Sequence, residues 1–173
     1  MSMASVRRRK GALRFAAELL LVGALVVGLG ALFFARFSFG YDPQTVVSIQ
    51  GYRLYLIDRG DQRLVRDRLY SFHAPVLPPI YSAQTRLVKY LRGLPGDEVE
   101  ITLDEQVRIN GQLRASGLAQ ADRLGRPRAA FAGKGVLGED AYWFMGDTPQ
   151  SFDSRYWGPV SREQVIGRVY PLF

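Results

Sequence analysis

The sequence predicts an all-β ectodomain of antiparallel sheets, attached to one N-terminal transmembrane helix. After residue 36, short runs rich in β-branched and aromatic residues alternate with clusters of Gly, Pro, Asp and Asn, which favour turns. No long amphipathic helix pattern interrupts these runs, which favours an all-β class. Before residue 36 the chain holds one long apolar run. The length of 173 residues is enough for one domain with its own core.

The apolar run covers residues 15–35 and reads FAAELLLVGALVVGLGALFFA. At about 1.5 Å per residue, a helix of this length crosses a hydrocarbon core of about 30 Å. Basic residues at 7–10 precede it, so the positive-inside rule places the N-terminus in the cytoplasm and the rest outside. We therefore expect a cytoplasmic basic tail at 1–14, a transmembrane anchor at 15–36 and an extracytoplasmic domain at 37–173.

A cleaved signal peptide is the alternative interpretation of the same run. The apolar region of such a peptide is about 7–15 residues long and ends in a small-x-small cleavage site. Here the run is longer and ends in bulky Leu32, Phe33 and Phe34, followed by Arg36. These features favour an uncleaved anchor.

Composition argues against several functional classes. Residues 1–36 hold six basic residues and one acidic residue, which leaves only +2 of the net charge of +7 for the remainder, so a nucleic-acid-binding face is not predicted. The chain has no cysteine, which excludes disulfides, zinc–thiolate sites and a cysteine nucleophile. His73 is the single histidine, and no cluster of possible ligands surrounds it in the sequence. We interpret it as structural and expect neither a metal nor a cofactor.

Strands are predicted in order wherever β-branched and aromatic residues lie between turn signals. Residues 58–61 predict a hairpin-type turn. Asn110 and Gly111 predict a second hairpin, because both central residues of a type I′ turn need positive φ. Residues 115–138, rich in Gly, Ala and Arg, are expected to form a long surface excursion. The predicted strands are 52–57, 69–72, 85–91, 99–103, the two arms of 107–113, 141–144 and 165–170.

A loop rich in charged and hydroxyl-bearing side chains follows the predicted strand at 141–144. Residues 145–160 read MGDTPQSFDSRYWGPV. Asp153 and Arg155 are two apart, so on an extended chain they point the same way and can form an ion pair. Ser151 and Ser154 bring hydroxyls beside that pair. A tightly turned surface loop without function is the alternative.

Serine and lysine are the residue types left for nucleophilic hydrolysis, because a Ser/His/Asp triad is improbable with one histidine. A serine hydroxyl needs a base, and lysine serves as one only when burial lowers its pKa and leaves the amine neutral. Lys89 has apolar neighbours and, on a strand, shares a face with Leu87 and Leu91. An edge-strand lysine that prevents aggregation is the alternative interpretation.

Three stretches together resemble the type I signal (leader) peptidases, which are membrane-anchored Ser/Lys proteases. KYLRGLPGD at 89–97 looks like the lysine motif of that family. Gly-Asp at 146–147 followed by SFDSR at 151–155 looks like its late box, and RDRL at 66–69 is a looser match to the intervening strand. The loop PQSFDSR at 149–155 is similar to the branch that serves conjugative plasmid transfer. The resemblance implies antiparallel sheets of the signal-peptidase type.

The resemblance also implies roles for particular residues. Ser48, shortly after the anchor and before a strand, matches the nucleophile, and Lys89 matches the general base. Ser151 is implied to hydrogen-bond Lys89, the ion pair of Asp153 and Arg155 to fix the loop, and Asp147 to hold the turn. Ser38 is the rival nucleophile; it lies closer to the membrane and has no such strand after it.

Two departures from the family pattern bear on activity. The proline that usually follows the nucleophile is missing, and Val46 stands where many members have a serine that binds the oxyanion. Loss of one oxyanion donor lowers rates by about 10²–10³-fold. These departures support the alternative function, a catalytically inactive relative acting as an envelope scaffold in a transfer or secretion complex.

The implied function is removal of leader peptides from translocated precursors. The expected substrate is a pilin or another component of a conjugative transfer system. The expected location is the bacterial inner membrane, with a single pass, a cytoplasmic N-terminus and a periplasmic catalytic domain. Expected partners are the precursor, the lipid bilayer and the conjugation or secretion machinery; neither nucleic acid nor a cofactor is expected.

Overall fold

The computed structural model describes residues 3–77, 80, 82 and 85–173, with side chains from residue 11 onward. The chain divides into two compact units, Met1–Phe37 and Ser38–Phe173. The first contains helix α1, Met3–Arg36. Its segment Gly11–Arg36 is long and apolar enough to cross a membrane, and none of its described side chains is buried. The predicted N-terminal apolar helix is confirmed; the side chains of the basic residues at 7–10 lie outside the described part.

The second unit consists of short antiparallel strands, as its punctuated sequence predicts. One four-residue helix, α2, covers Ser154–Trp157. The strands are β1 Phe37–Tyr41, β2 Leu54–Asp58, β3 Leu69–His73, β4 Arg86–Gly93, β5 Glu98–Ile101, β6 Gln106–Ile109, β7 Gln112–Ser116, β8 Gly133–Val136, β9 Trp143–Met145 and β10 Val165–Pro171.

These strands form two sheets. The larger has the order β1-β2-β10-β3-β4-β9, and the smaller has the order β7-β6-β5-β8. The pairs between β2, β10, β3, β4 and β9 and those within the smaller sheet are antiparallel. The predicted fold class is therefore confirmed. The predicted hairpin at Asn110 and Gly111 is also confirmed, because both residues have positive φ, 51° and 76°.

The hairpin predicted at 58–61 is wrong. A turn does follow β2, but β2 and β3 do not pair with each other. The closing strand β10 lies between them and pairs antiparallel with both. A local turn pattern cannot show that a strand about a hundred residues later separates its two flanks.

The predicted surface excursion at 115–138 is confirmed in part. Leu118 and Ala121 are 1% and 0% exposed, and they belong to the same core cluster as Val107. Strand β8 pairs antiparallel with β5 and closes the edge of the smaller sheet. More than half of the segment is exposed, as predicted, but Leu118, Ala121 and Leu137 pack into the core and β8 belongs to a sheet.

Candidate active site

Lys89 is a buried lysine in the interior of the larger sheet. Strand β4 alternates buried and partly buried positions, and Lys89 is 3% exposed, on the buried side with Leu87 and Leu91. In the register, Tyr70 on β3 pairs with Lys89. Because β4 lies between β3 and β9, the edge-strand interpretation of this lysine is wrong. A lysine at such a site is either neutral or costly to keep charged.

The pKa of Lys89 is lowered from 10.5 to about 8, chiefly because burial disfavours the ammonium form. The charge of Asp153 opposes this change, and the charge of Arg155 adds to it. A pKa of about 8 leaves a substantial neutral fraction of the amine at mildly alkaline pH. This property is the one that a lysine general base requires.

Gly146 brings the loop at 145–160, here called the late loop, against Lys89. Tyr90 on β4 pairs with Met145 on β9, and continuing that antiparallel register by one residue places Lys89 across from Gly146. The volume that a side chain at 146 would fill is taken by the Ser151 hydroxyl and by the carbonyl oxygen of Ser48. The register therefore brings Ser151 and the Ser48 backbone into the neighbourhood of Lys89.

The segment around Ser48 is fastened to the same loop by three hydrogen bonds. The backbone N–H of Asp147 donates to the Ser48 carbonyl at 3.0 Å, and the N–H of Gln50 donates to Asp147 Oδ1 at 3.0 Å. The Thr148 hydroxyl donates to the Val47 carbonyl at 3.0 Å. The main chain and the side chain of Asp147 therefore both hydrogen-bond the segment that carries Ser48. Sequence analysis did not identify Thr148.

Ser48 and Lys89 line the same cavity, of about 340 Å³. Its other lining residues include Tyr55, Ile57 and Ser71. Ser38, the rival nucleophile, does not line this cavity. The structure therefore brings the predicted nucleophile and the predicted base to one concave site.

The ion pair predicted in the late loop is present and almost completely buried. Arg155 and Asp153 have side chains that are 1% and 0% exposed. Arg155 Nε and Nη2 donate to the two carboxylate oxygens of Asp153, each at 2.8 Å. Asp153 also accepts the N–H of Gly146 at 3.0 Å. Burial alone would lower the pKa of Arg155, but the hydrogen bond and charge of Asp153 raise it.

The hydrogen bond implied between Ser151 and Lys89 is not formed in this structure. Ser151 is 1% exposed, and its hydroxyl has no hydrogen-bond partner among the described residues. The hydroxyl therefore remains available for a hydrogen bond, and it lies against the side-chain space of Gly146. Ser71 has a similarly unpartnered hydroxyl within the described chain and was not singled out from the sequence, where it resembles any strand serine.

The end of β4 is held by an ion pair between the RDRL stretch at 66–69 and the lysine motif at 89–97. Arg66 binds the carboxylate of Asp97, with Nη1 2.7 Å from Oδ2. Asn110 and the N–H of Leu94 also donate to that carboxylate, at 2.7 and 2.6 Å. Burial alone would raise the pKa of Asp97, but the hydrogen bond from Arg66 and the other two donors lower it. This charged brace fixes the strand that carries Lys89.

We predict that Gly146→Ala lowers both stability and any activity of the site. The new Cβ would lie 2.5 Å from the Ser48 carbonyl oxygen, so the backbone must move. Overpacking of this kind costs about 1–3 kcal/mol, and a displacement of about 1 Å lowers catalysis about 10²-fold. Thermal unfolding and peptide cleavage measure the two effects. Gly138→Ala, where a Cβ meets no atom within 4 Å, is the matched control; equal behaviour of the two variants contradicts the prediction.

Comparison with known proteins identifies similar chains. A family model described as "Signal peptidase, peptidase S26" matches residues 14–173. The plasmid transfer protein TraF of Escherichia coli is 40% identical over 89 residues, which cover 50% of this chain and 50% of that protein. A probable signal peptidase I-2 of Synechocystis is 34% identical over 87 residues, covering 50% of this chain and 37% of that protein. The chain thus spans half or less of the length of these curated relatives.

A solved structure is also similar over part of this chain. It is the crystal structure of a signal peptidase I from Enterococcus faecalis, which is 27% identical in sequence. The match covers 63% of this chain and 98% of that one, with a TM-score of 0.40.

Proposed function

Because this chain belongs to the signal peptidase family, peptidase S26, we propose that it is a membrane-anchored serine endopeptidase that removes leader peptides from translocated precursors. One observation carries the proposal. Ser48 and the buried Lys89, whose pKa is lowered to about 8, line the same cavity. Ser/Lys hydrolysis requires a hydroxyl and an amine that can lose its proton near neutral pH, and these two residues supply both groups.

In the proposed mechanism, neutral Lys89 accepts the proton of Ser48 Oγ as that oxygen attacks the scissile carbonyl carbon. The protonated amine then donates the proton to the departing peptide nitrogen as the C–N bond breaks. A water molecule attacks the resulting ester as Lys89 again accepts a proton. Lys89 returns this proton to Ser48 Oγ as the ester C–O bond breaks. The Ser151 hydroxyl, which has no partner among the described residues, orients the amine.

The oxyanion of the tetrahedral intermediate is assigned to the backbone N–H of Ser48. Val46 is 55% exposed and offers no side-chain donor. A single donor predicts a slower enzyme by about 10²–10³-fold rather than an inactive one. The alternative, an inactive relative acting as a scaffold, requires that no precursor be cleaved under any condition.

We assign the catalytic domain to residues 37–173 and the anchor to 15–36, after a basic tail at 1–14. The charge flanking the apolar helix favours a cytoplasmic N-terminus and a periplasmic site in the bacterial inner membrane. The anchor then holds the site where translocated leaders emerge, which raises their effective concentration.

One similar protein is named a plasmid transfer protein. On that basis we assign the substrate to a component of a conjugative transfer system, such as a pilin precursor. The leader would lie extended beside the site, with small residues at the first and third positions before the cut.

The test uses the full chain reconstituted in vesicles with a panel of leader-bearing precursors, and cleavage followed by mass spectrometry. We expect the unmodified protein and Ser38→Ala to cleave and Ser48→Ala to be inactive, because Ser48, unlike Ser38, lines the cavity with Lys89. Activity of Ser48→Ala would reject the assigned nucleophile. Absence of cleavage by the unmodified protein, with binding of the precursor retained, would favour the scaffold.

A further inference from the structure

Ser71 is a buried hydroxyl that the proposed mechanism does not use. It lies on β3, is 1% exposed, and lines the cavity that Ser48 and Lys89 share. Its Oγ has no hydrogen-bond partner in the part of the chain that the structure describes. A buried hydroxyl without a hydrogen-bond partner destabilises the folded protein. A hydroxyl of this kind in a cavity wall is therefore expected to have a role.

The strand register separates Ser71 from the amine. Ser71 pairs with Val88, and Tyr70 pairs with Lys89. Direct cross-strand neighbours share a face and successive residues alternate between faces, so Ser71 and Lys89 are directed to opposite faces of the sheet. Ser71 is therefore not a second residue that positions Lys89. It belongs to the wall of the cavity.

The side chains that directly flank Ser71 on that face are apolar, although the charged residues Asp42, Arg86 and Lys89 also line the cavity. Leu69 and Val88 flank it in the sheet and belong to a cluster that also contains Ile57, and both Ile57 and Val88 line the cavity. An ionised side chain seated against these apolar neighbours would lose its hydration. A purely apolar side chain would leave the hydroxyl unpaired. The group that suits this wall is small, neutral and able to hydrogen-bond.

We infer that Ser71 is a specificity-determining residue whose hydroxyl hydrogen-bonds a small neutral polar side chain of the bound precursor, such as that of Ser, Thr or Asn. The inference rests on the proposed function, because it takes the occupant of the cavity to be a leader peptide. A single neutral hydrogen bond in such a site gives about a tenfold preference for the polar side chain over an apolar one of the same shape.

The experiment uses isosteric Thr/Val pairs of a synthetic leader peptide, exchanged one position at a time around the cut. Cleavage by the full chain gives kcat/KM for each pair, and binding of the same peptides to Ser48→Ala gives affinities that do not require turnover. We expect one position at which Thr exceeds Val by about tenfold. Ser71→Ala should abolish that ratio, and Ser71→Thr, which keeps the hydroxyl, should retain it. Ser116→Ala, at an exposed position on β7, is the control.

The outcomes separate the two proposals. Cleavage with no Thr/Val preference at any position, or with a preference that Ser71→Ala leaves intact, overturns the assignment of Ser71 and leaves the peptidase proposal standing. A preference in binding without cleavage overturns the peptidase and supports Ser71. If the chain neither binds nor cleaves any peptide, both proposals are wrong.

Discussion

Replacing Lys89 with methionine is expected to abolish peptide cleavage and, at the same time, to make the β-sheet unit more stable at neutral pH. Cleavage falls because the proposed general base is lost, which costs about 10²–10⁴-fold. Stability rises because a pKa lowered from 10.5 to about 8 means that the folded chain at pH 7 holds a proton against burial. That penalty is about 3 kcal/mol, and an unbranched apolar side chain avoids it.

The pH dependence distinguishes this cause from a general packing effect. Between pH 10.5 and about 8 only the unfolded chain binds the proton at Lys89, so wild-type stability falls as the pH falls through this window and levels off below it. The stability advantage of Lys89→Met should therefore be small near pH 10.5 and about 1–3 kcal/mol at pH 7. Wild-type kcat/KM should rise with pH up to about 8 and then reach a plateau. Tyr55, which also lines the cavity, has its pKa raised to about 12 by burial and stays neutral throughout.

Tryptophan fluorescence follows the relevant unfolding, because both tryptophans of the chain, Trp143 and Trp157, lie in the β-sheet unit. The control is Lys134→Met, at a lysine that is 53% exposed and ion-paired with Glu98. That variant should lack both the stability gain and the loss of cleavage. Cleavage by Lys89→Met at a near-normal rate would end the Ser/Lys interpretation. A stability difference that does not vary with pH would contradict the assigned protonation.

Sequence patterns predicted the surroundings of Lys89 better than its place in the sheet. Apolar alternation along 85–91 is local, and it correctly placed Lys89 beside Leu87 and Leu91. Whether β4 is an edge strand depends on what pairs with each side of it, which is β3 on one side and β9, more than fifty residues later, on the other. Periodicity within one strand holds no information about such distant pairing. The local pattern therefore could not decide between a base and an edge lysine.

The importance of Gly146 and Ser71 could not be predicted from the sequence either. In the sequence Gly146 is one turn residue among several, and its importance follows from the Ser48 carbonyl and the Ser151 hydroxyl that occupy its side-chain space. Ser71 looks like an ordinary strand serine, and only the three-dimensional arrangement shows that it lines the cavity without a partner among the described residues. In contrast, the pairing of Asp153 with Arg155 lies within three residues and was predicted. The extended chain assumed for it was wrong, because helix α2 begins at Ser154 and Asp153 caps it.

Asp153→Asn is expected to destabilise the β-sheet unit by about 3–5 kcal/mol, because it leaves the Arg155 guanidinium buried without an opposite charge. Arg155 cannot turn to solvent without losing further hydrogen bonds. It also donates to the carbonyl oxygens of Ser151 and Gly117, at 2.9 and 3.2 Å. Since Asp153 holds the N–H of Gly146, the same change loosens the loop that positions the Ser48 segment, and cleavage should fall with stability.

A double-mutant cycle measures the pair itself. Asp153→Asn, Arg155→Met and the combined variant are compared by thermal unfolding, with an expected coupling of several kcal/mol because the double variant no longer buries a lone charge. The double variant should still be less stable than wild type, since the carbonyls that Arg155 satisfies lose their donor. Arg128→Gln, at an ion pair whose arginine is 50% exposed, is the control and should change stability by less than about 1 kcal/mol. Additive effects of the two single changes would show that the buried pair does not act as a unit, and the loop would then depend on its other hydrogen bonds for its shape.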